Sequence, residues 1–279
     1  MDDLPDFEAL THDIMLISER TQGKPTDWRG QRASLAFAKI GVTALTLLRL
    51  TPGSRYFEPA GTYAIWDLSA IASQCRNLME AYYLLCYLVR EPPNPAEKEF
   101  RQALWEYHEE YERHAMLRIS LPQAKSLPEV AAGLQVDKGR LEASAVFQAL
   151  SAGLRQELLE ARRFKLESSI ELSRQAGISE NYYRAQYKYC SAFAHSAPFS
   201  LSQLDQFRAG ADSAKSVIGT LVALALAYCA VSIRDFLTIF PEGRACLPAA
   251  SAELIAKWEG ILKWEKSPWF NAAPEEPRA

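Results

Sequence analysis

Apolar residues recur along the chain at intervals of three and four, the spacing that lines one face of an α-helix, and clusters of proline and glycine interrupt the runs. The pattern predicts a first helix over Asp6–Arg20 and a second over Arg32–Leu50, ended by TPGSRYFEPAG at 51–61. A long third helix follows over Thr62–Arg90 and closes at EPPNP, because proline cannot continue a helix. The fourth, Ala96–Arg118, is charge-rich and expected to be solvated on one face. Residues 120–137, with Pro122, Pro128 and Gly133, read as a surface loop or lid. Helical spacing returns over Gly139–Gln175, breaks at AGIS, and resumes over Glu180–Ala194 with Ser179 as its N-cap. That helix stops at Pro198. An apolar helix over Leu204–Phe240 and an amphipathic one over Ala250–Lys266 complete the series.

The reading is an all-α fold: a bundle of about seven to nine helices with long, buried central helices. Residues 1–50 form an N-terminal pair packed on a core at 62–240, with a C-terminal helix at 250–266. The polar tail 267–279 is expected to be disordered.

Within the third helix the polar residues do not scatter. Ser69, Ser73, Arg76 and Glu80 recur at four, three and four, on one stripe, with Asn77 beside it. Charges inside an apolar helix need partners, and Arg76 and Glu80, at i and i+4, can supply each other. A second constellation lies in YRAQYKYCSAFAHSAP. Tyr187, Ser191 and His195 fall at i, i+4 and i+8, Lys188 shares their broad face, and Arg184 extends it by a turn. His195 stands at a helix C-terminus, where orphan carbonyls favour an imidazolium, so the residue reads either as a cap or as a working group.

Composition narrows the possibilities. With 31 basic against 34 acidic residues the net charge is −3, so contact with a polyanion requires a local basic surface. Five cysteines, odd in number and lacking any C-x-x-C, fit reduced core thiols and a cytoplasmic setting, and MDDLPDFEAL lacks the basic and apolar regions of a signal peptide. The charge-free run Ser216–Ile233 reaches the lower length limit for a membrane span. It reads as a core helix, because Lys215 and Arg234 bound it and no second such run is apparent.

The pairing of RNLMEAYYLLCYL with YRAQYKYCSAFAHSAP resembles the R-x-x-x-E and Y-x-x-x-S-x-x-x-H-x-x-P blocks of an uncharacterised bacterial helical family related to the HEPN domains. The likeness covers about residues 35–240. It implies a helical bundle, commonly homodimeric, and a metal-independent ribonuclease of a toxin–antitoxin, stress or phage-defence system. RNA and an antitoxin or defence-system protein would be its partners. By that resemblance His195 is the catalytic histidine, with Arg76, Glu80 and Ser191 completing the site and Lys188, Tyr187, Arg184 and Asn77 in support. HEPN ribonucleases carry an arginine separated from the histidine by four to six intervening residues; here those positions hold Lys188, Tyr189 and Cys190, so either Lys188 offers a point charge or Arg76, held by Glu80, stands in from another helix. The alternative is a non-catalytic interaction module in which Arg76, Glu80, Ser191 and His195 form a structural polar network.

Other motifs offer less. ELSRQAGISENYYRAQYK imitates a helix-turn-helix, but tyrosines occupy its second helix where small polar base-reading residues belong. RQELLEARRFK at 155–165 is basic but interleaved with Glu157 and Glu160. His108 and His114 stand six apart, on opposite sides of a helix, so no metal-ligand spacing is expected there, and no cofactor motif of the G-x-G-x-x-G or P-loop type occurs.

Overall fold

The computed structural model describes residues 3–51, 54–58, 61–206 and 212–263. These form a helical protein with one two-stranded hairpin. Twelve α-helices and two 3₁₀ turns appear among the described residues, more than the seven to nine expected, chiefly because the helix predicted over 139–175 is cut at Ser144, Ser151 and Ala161. The chain packs as two units, 1–89 with 169–279, and 90–168. Both cuts fall inside the 62–240 core read from the sequence.

In the first unit, α1 (Leu4–Thr21) and α2 (Trp28–Leu50) form a helical pair, with Asp27 capping α2 by accepting from Gly30 N at 2.9 Å. The predicted third helix starts six residues late. Residues 54–58 (β1) and 61–65 (β2) pair antiparallel, Ser54 opposite Ile65. Asp67 then caps α3 (Leu68–Val89), its Oδ1 2.8 Å from Ala70 N. The aromatic and β-branched residues Tyr56, Phe57, Thr62, Tyr63 and Ile65, clustered around a short break, are the strand signal that the helical reading passed over. Trp66 anchors the hairpin's base by donating Nε1–H to Thr51 O at 2.8 Å.

α3 and α11 (Asp212–Phe236) form the middle of this unit. Leu78, Tyr82, Tyr83 and Leu85 meet Ile218, Leu224, Tyr228 and Ile233 in a core sealed from solvent. Phe37 of α2 stacks on Phe236 with centroids 4.0 Å apart. Tyr83 and Tyr228 share a buried hydroxyl contact of 3.0 Å, which satisfies both polar atoms. α8 (Ser169–Gln175), α9 (Glu180–Ala194) and α10 (Pro198–Gln206) continue the unit, and α12 (Ser251–Glu259) packs on α11 and α1. The predicted Leu204–Phe240 helix is two helices, with Leu204 in α10. The tail 267–279 lies outside the described residues.

The second unit holds α4 (Pro95–Ser120), α5 (Leu127–Glu142), α6 (Ala145–Ala149) and α7 (Ala152–Leu159) around Phe100, Leu104, Tyr107, Leu134, Leu141, Phe147 and Leu158. The loop expected over 120–137 is largely helix. Pro128 and Gly133 sit within α5, the proline at its start where no intrahelical N–H is needed. Conversely, the helix expected over Gly139–Gln175 breaks at Ser144 and at Ser151, which caps α7, and at Ala161, whose φ of 50° ends the run. Arg101, buried, donates to Glu97 and Glu167 at 2.6 and 2.8 Å.

Among the described residues two helices are long and apolar enough to cross a membrane by length and composition, Trp28–Leu50 and Ala214–Phe236. The second matches the run read as a core helix, and 78% of its apolar window is buried inside the protein. The first corrects the expectation that no other such segment exists: Lys39 and Arg49 interrupt it, so a search for charge-free runs overlooks it.

Candidate functional site

α3 and α9 pack together within the first unit and bring the two constellations into one cluster. Arg76 is its centre. Its Nε donates to Glu80 Oε1 at 3.0 Å, Nη2 to the Tyr187 hydroxyl at 3.0 Å, and Nη1 lies 3.0 Å from His195 Nε2. The Tyr187 hydroxyl in turn donates to Glu80 Oε1 at 3.2 Å, closing a ring of three residues. A guanidinium only donates, so His195 Nε2 is the acceptor in this contact.

The termination of α9 explains how the imidazole becomes available. Ala197 N donates to Ala192 O at 3.0 Å and Ser196 N to Phe193 O at 3.3 Å, with Ser196 at φ 48°: a Schellman ending in which backbone groups satisfy the last carbonyls. The His195 side chain is therefore not needed as a cap and turns to α3. Ser196 and Pro198 form the corner leading into α10.

The cluster lies at the surface. The Arg76 side chain is 21% exposed and that of Glu80 48%, and His195 is exposed. Arg76 and Glu80 thus border α3's buried face instead of lying inside it. Burial works against the Arg76 charge, but hydrogen bonding to Tyr187 and the proximity of Glu80 outweigh it and hold the guanidinium more firmly protonated than usual.

Four of the eight residues singled out in the sequence meet: Arg76, Glu80, Tyr187 and His195. Ser191 shares the face, yet its hydroxyl is buried and has no hydrogen-bond partner among the described residues. Lys188 is exposed. Arg184 pairs with Glu180 at 2.7 Å, and Asn77 faces Gln74 at 3.4 Å, so neither joins the cluster. Cys190 is buried, and desolvation pushes its thiol up to about 12, leaving it protonated.

The opposite face of α9 carries a groove that the sequence did not reveal, about 370 Å³ in volume and lined by Ala185, Gln186, Tyr189, Gln203, Val217, Thr220 and Leu221. Its lining comes from three helices, which no local pattern connects. Among the described residues no group of three or more His, Cys, Asp or Glu side chains converges as a metal-ligand set.

Comparison of the chain with protein-family models, with curated proteins and with solved structures finds no match.

Proposed function

We propose that the Arg76–His195 cluster is a phosphodiester-cleaving site acting on RNA, in the manner of the HEPN ribonucleases that the two sequence blocks resemble. The observation that carries the reading is the 3.0 Å contact of Arg76 Nη1 with an exposed, accepting His195 Nε2. A general base and a phosphate-binding cation are thereby side by side at the surface. Arg76 has five N–H groups and three hydrogen bonds to the cluster, so two remain for phosphate oxygens.

In the proposed step Arg76 Nη1 moves from His195 Nε2 to a phosphate oxygen, and the ribose 2′-oxygen attacks the adjacent phosphorus while the freed Nε2 lone pair takes the 2′-hydroxyl proton. The P–O5′ bond breaks and the leaving oxygen takes a proton from solvent. The products are a 2′,3′-cyclic phosphate and a 5′-hydroxyl, and the step calls on no metal. Arg76 stabilises the charge on the non-bridging oxygens, and Glu80 and Tyr187 hold its plane. General-base action of this type contributes about 10²–10⁴ in rate. On the same reading the setting is cytoplasmic, and an antitoxin or another defence-system protein restrains the activity.

The test is cleavage of a mixed RNA pool in EDTA, with cyclic-phosphate ends as readout, by wild type beside His195→Ala. Cleavage that disappears in a folded variant supports the reading. An inert wild type, together with a variant that loses thermal stability, overturns it in favour of a structural network fixing the α3–α9 packing.

A further inference from the structure

The second unit carries a helical hairpin whose end the fold leaves uncovered. Tyr107 is the last buried residue of α4, which runs on for 13 residues to Ser120, about 20 Å. In α5 the first buried residue is Leu134, seven positions after the helix begins. Over this stretch α4 and α5 pack on each other, with Leu117, Leu127 and Val130 half-buried.

Apolar and charged residues are sorted along the hairpin. Three of the unit's four exposed large apolar side chains stand at its end: Met116, 59% exposed, Ile119, 78%, and Leu121, 57%. The fourth, Val136, lies back along α5. The 16 residues 113–128 hold Arg113, Arg118 and Lys125 and no acid. Arg113 pairs back to Glu110 at 3.4 Å, whereas Arg118 and Lys125 are exposed and join no ion pair among the described residues. Carboxylates begin behind the end: Glu112 is about 10 Å from Ile119 along α4, and Glu129 stands in the first turn of α5. In the turn itself Leu121 N donates to Leu117 O at 2.8 Å, Ala124 N to Leu121 O at 2.9 Å and Leu127 N to Ala124 O at 3.1 Å. These bonds lower the cost of moving the turn out of bulk water.

Shape and charge select the occupant. The end of a hairpin is convex, so a flat protein surface would leave most of it wet, whereas a fluid interface closes around it. Single-stranded RNA is held by stacking on aromatic rings, and 112–133 contain no Phe, Tyr or Trp. Apolar side chains flanked by unpaired cations suit an anionic lipid surface, where Arg118 and Lys125 reach phosphates while their apolar stems share the acyl boundary. We propose that the α4–α5 hairpin is a membrane-docking tip that inserts Met116, Ile119 and Leu121 into an anionic bilayer interface. Insertion by about 5–10 Å keeps Glu112 in water, and Arg113, Arg118 and Lys125 outnumber Glu129 at the headgroups. The attachment is peripheral, and it is independent of the activity proposed for the α3–α9 cluster.

Co-sedimentation of the full chain with vesicles tests the tip, at about 1 mM lipid, with one-third phosphatidylglycerol in phosphatidylcholine beside phosphatidylcholine alone. Binding to the anionic vesicles is expected, weakening as salt is added. Ile119→Asp or Leu121→Asp is expected to lower the partition coefficient by roughly tenfold or more, and Arg118→Ala or Lys125→Ala by roughly 5-fold each. Since these side chains are exposed, unchanged circular dichroism and Tm certify the fold. In a Cys246→Ser background, a polarity-sensitive dye on Ser120→Cys is expected to shift to the blue on binding, and the same dye on Glu112→Cys to stay unshifted. Binding that is absent, equal on both lipid compositions, or indifferent to Ile119→Asp and Leu121→Asp overturns the proposal, as does a dye at 120 that reports water while the chain is bound. Binding that is lost in Val42→Asp instead would place the lipid contact on α2. A chain that ignores vesicles but self-associates, with Ile119→Asp restoring the monomer in sedimentation velocity, would make the tip a protein contact.

Discussion

Arg76 and His195, 119 residues apart in the chain, meet with Nη1 3.0 Å from Nε2, and the Tyr187 hydroxyl ties the same guanidinium to Glu80. The relationship depends on two separate events: α3 and α9 packing side by side, and α9 ending through its backbone so that the imidazole is not held as a cap.

Replacement of Tyr187 by Phe keeps the ring that packs between Tyr183 and Arg76 and deletes the hydroxyl that links Arg76 to Glu80. On the proposed ribonuclease activity, the expected result is cleavage lowered about tenfold in kcat with Tm nearly unchanged, the scale of one hydrogen bond to a charged group. Steady-state kinetics on the RNA substrate, beside a melting curve, checks it. A Tm loss comparable to a core mutation would mark Tyr187 as structural.

His195→Ala is expected to leave Tm within about 2 °C of wild type, since the imidazole is exposed and the helix end is satisfied by main-chain hydrogen bonds. Differential scanning calorimetry decides it. A larger drop would mean that the Arg76–His195 contact holds α3 to α9.

Ser196 occupies the left-handed region at φ 48°, a conformation glycine adopts without steric penalty. Ser196→Gly is therefore expected to stabilise the folded chain by about 1 kcal/mol, seen as a rise in Tm of roughly 2–4 °C. An unchanged or lower Tm would show that the greater backbone freedom of the unfolded variant offsets the relief.

Two carboxylates of α1 are expected to give opposite pH dependences. Burial alone would raise the Asp6 carboxyl, but hydrogen bonds from Lys257 and Trp258 outweigh it and hold it below the usual range. Its stabilisation is present above pH 4 and lost as the pH falls through the lowered value. Asp13, buried, is raised chiefly by desolvation, which a hydrogen bond with Ser251 only partly offsets. Its ionised form is disfavoured in the fold, so that penalty is absent in acid and grows as the pH rises past the ordinary carboxylate range. At pH 7 Asp6→Asn is expected to lower Tm and Asp13→Asn to raise it by roughly 2–4 °C, both differences shrinking toward pH 3. Melting curves across that interval measure the two slopes.

Arg101 compensates two carboxylates, Glu97 and Glu167, from a largely buried position. Arg101→Ala leaves both without their shared cation and is expected to destabilise residues 90–168 by about 3 kcal/mol. Hydrogen exchange resolved by segment should show faster exchange in α4–α7, with the protection of α3 and α11 retained.

Much of the helical content was legible because amphipathic spacing and caps are local. Ser179 and the EPPNP stop each act within a turn of their own position, whereas the cap at Asp27 was passed over and the second helix was expected four residues late. The misread segments are those where local signals compete. At 61–65 a strand-forming run precedes Asp67, and at 127–142 a helix passes through a proline placed at its first turn, where proline is tolerated. The candidate residues were visible on each helix separately, as stripes at 73, 76 and 80 and at 187, 191 and 195. Their partnership was not, since helical spacing says nothing about which helix lies opposite. Ser191 shows the limit: it satisfies the stripe at 187–195 as well as His195 does, yet its hydroxyl is buried away from Arg76.

The sequence by itself determined that this is a helical protein, that α11 is apolar enough to be a core helix, and that Arg76–Glu80 and Tyr187–His195 each lie on one face, because these follow from the period of the α-helix. Tertiary structure alone decided that residues 90–168 pack as a separate unit, that Arg76 donates to an exposed imidazole, and that the α4–α5 hairpin keeps an apolar end in solvent. Those outcomes depend on which surfaces the packed helices bury against one another, and that is settled by contacts between residues far apart in the chain, 119 positions apart for Arg76 and His195.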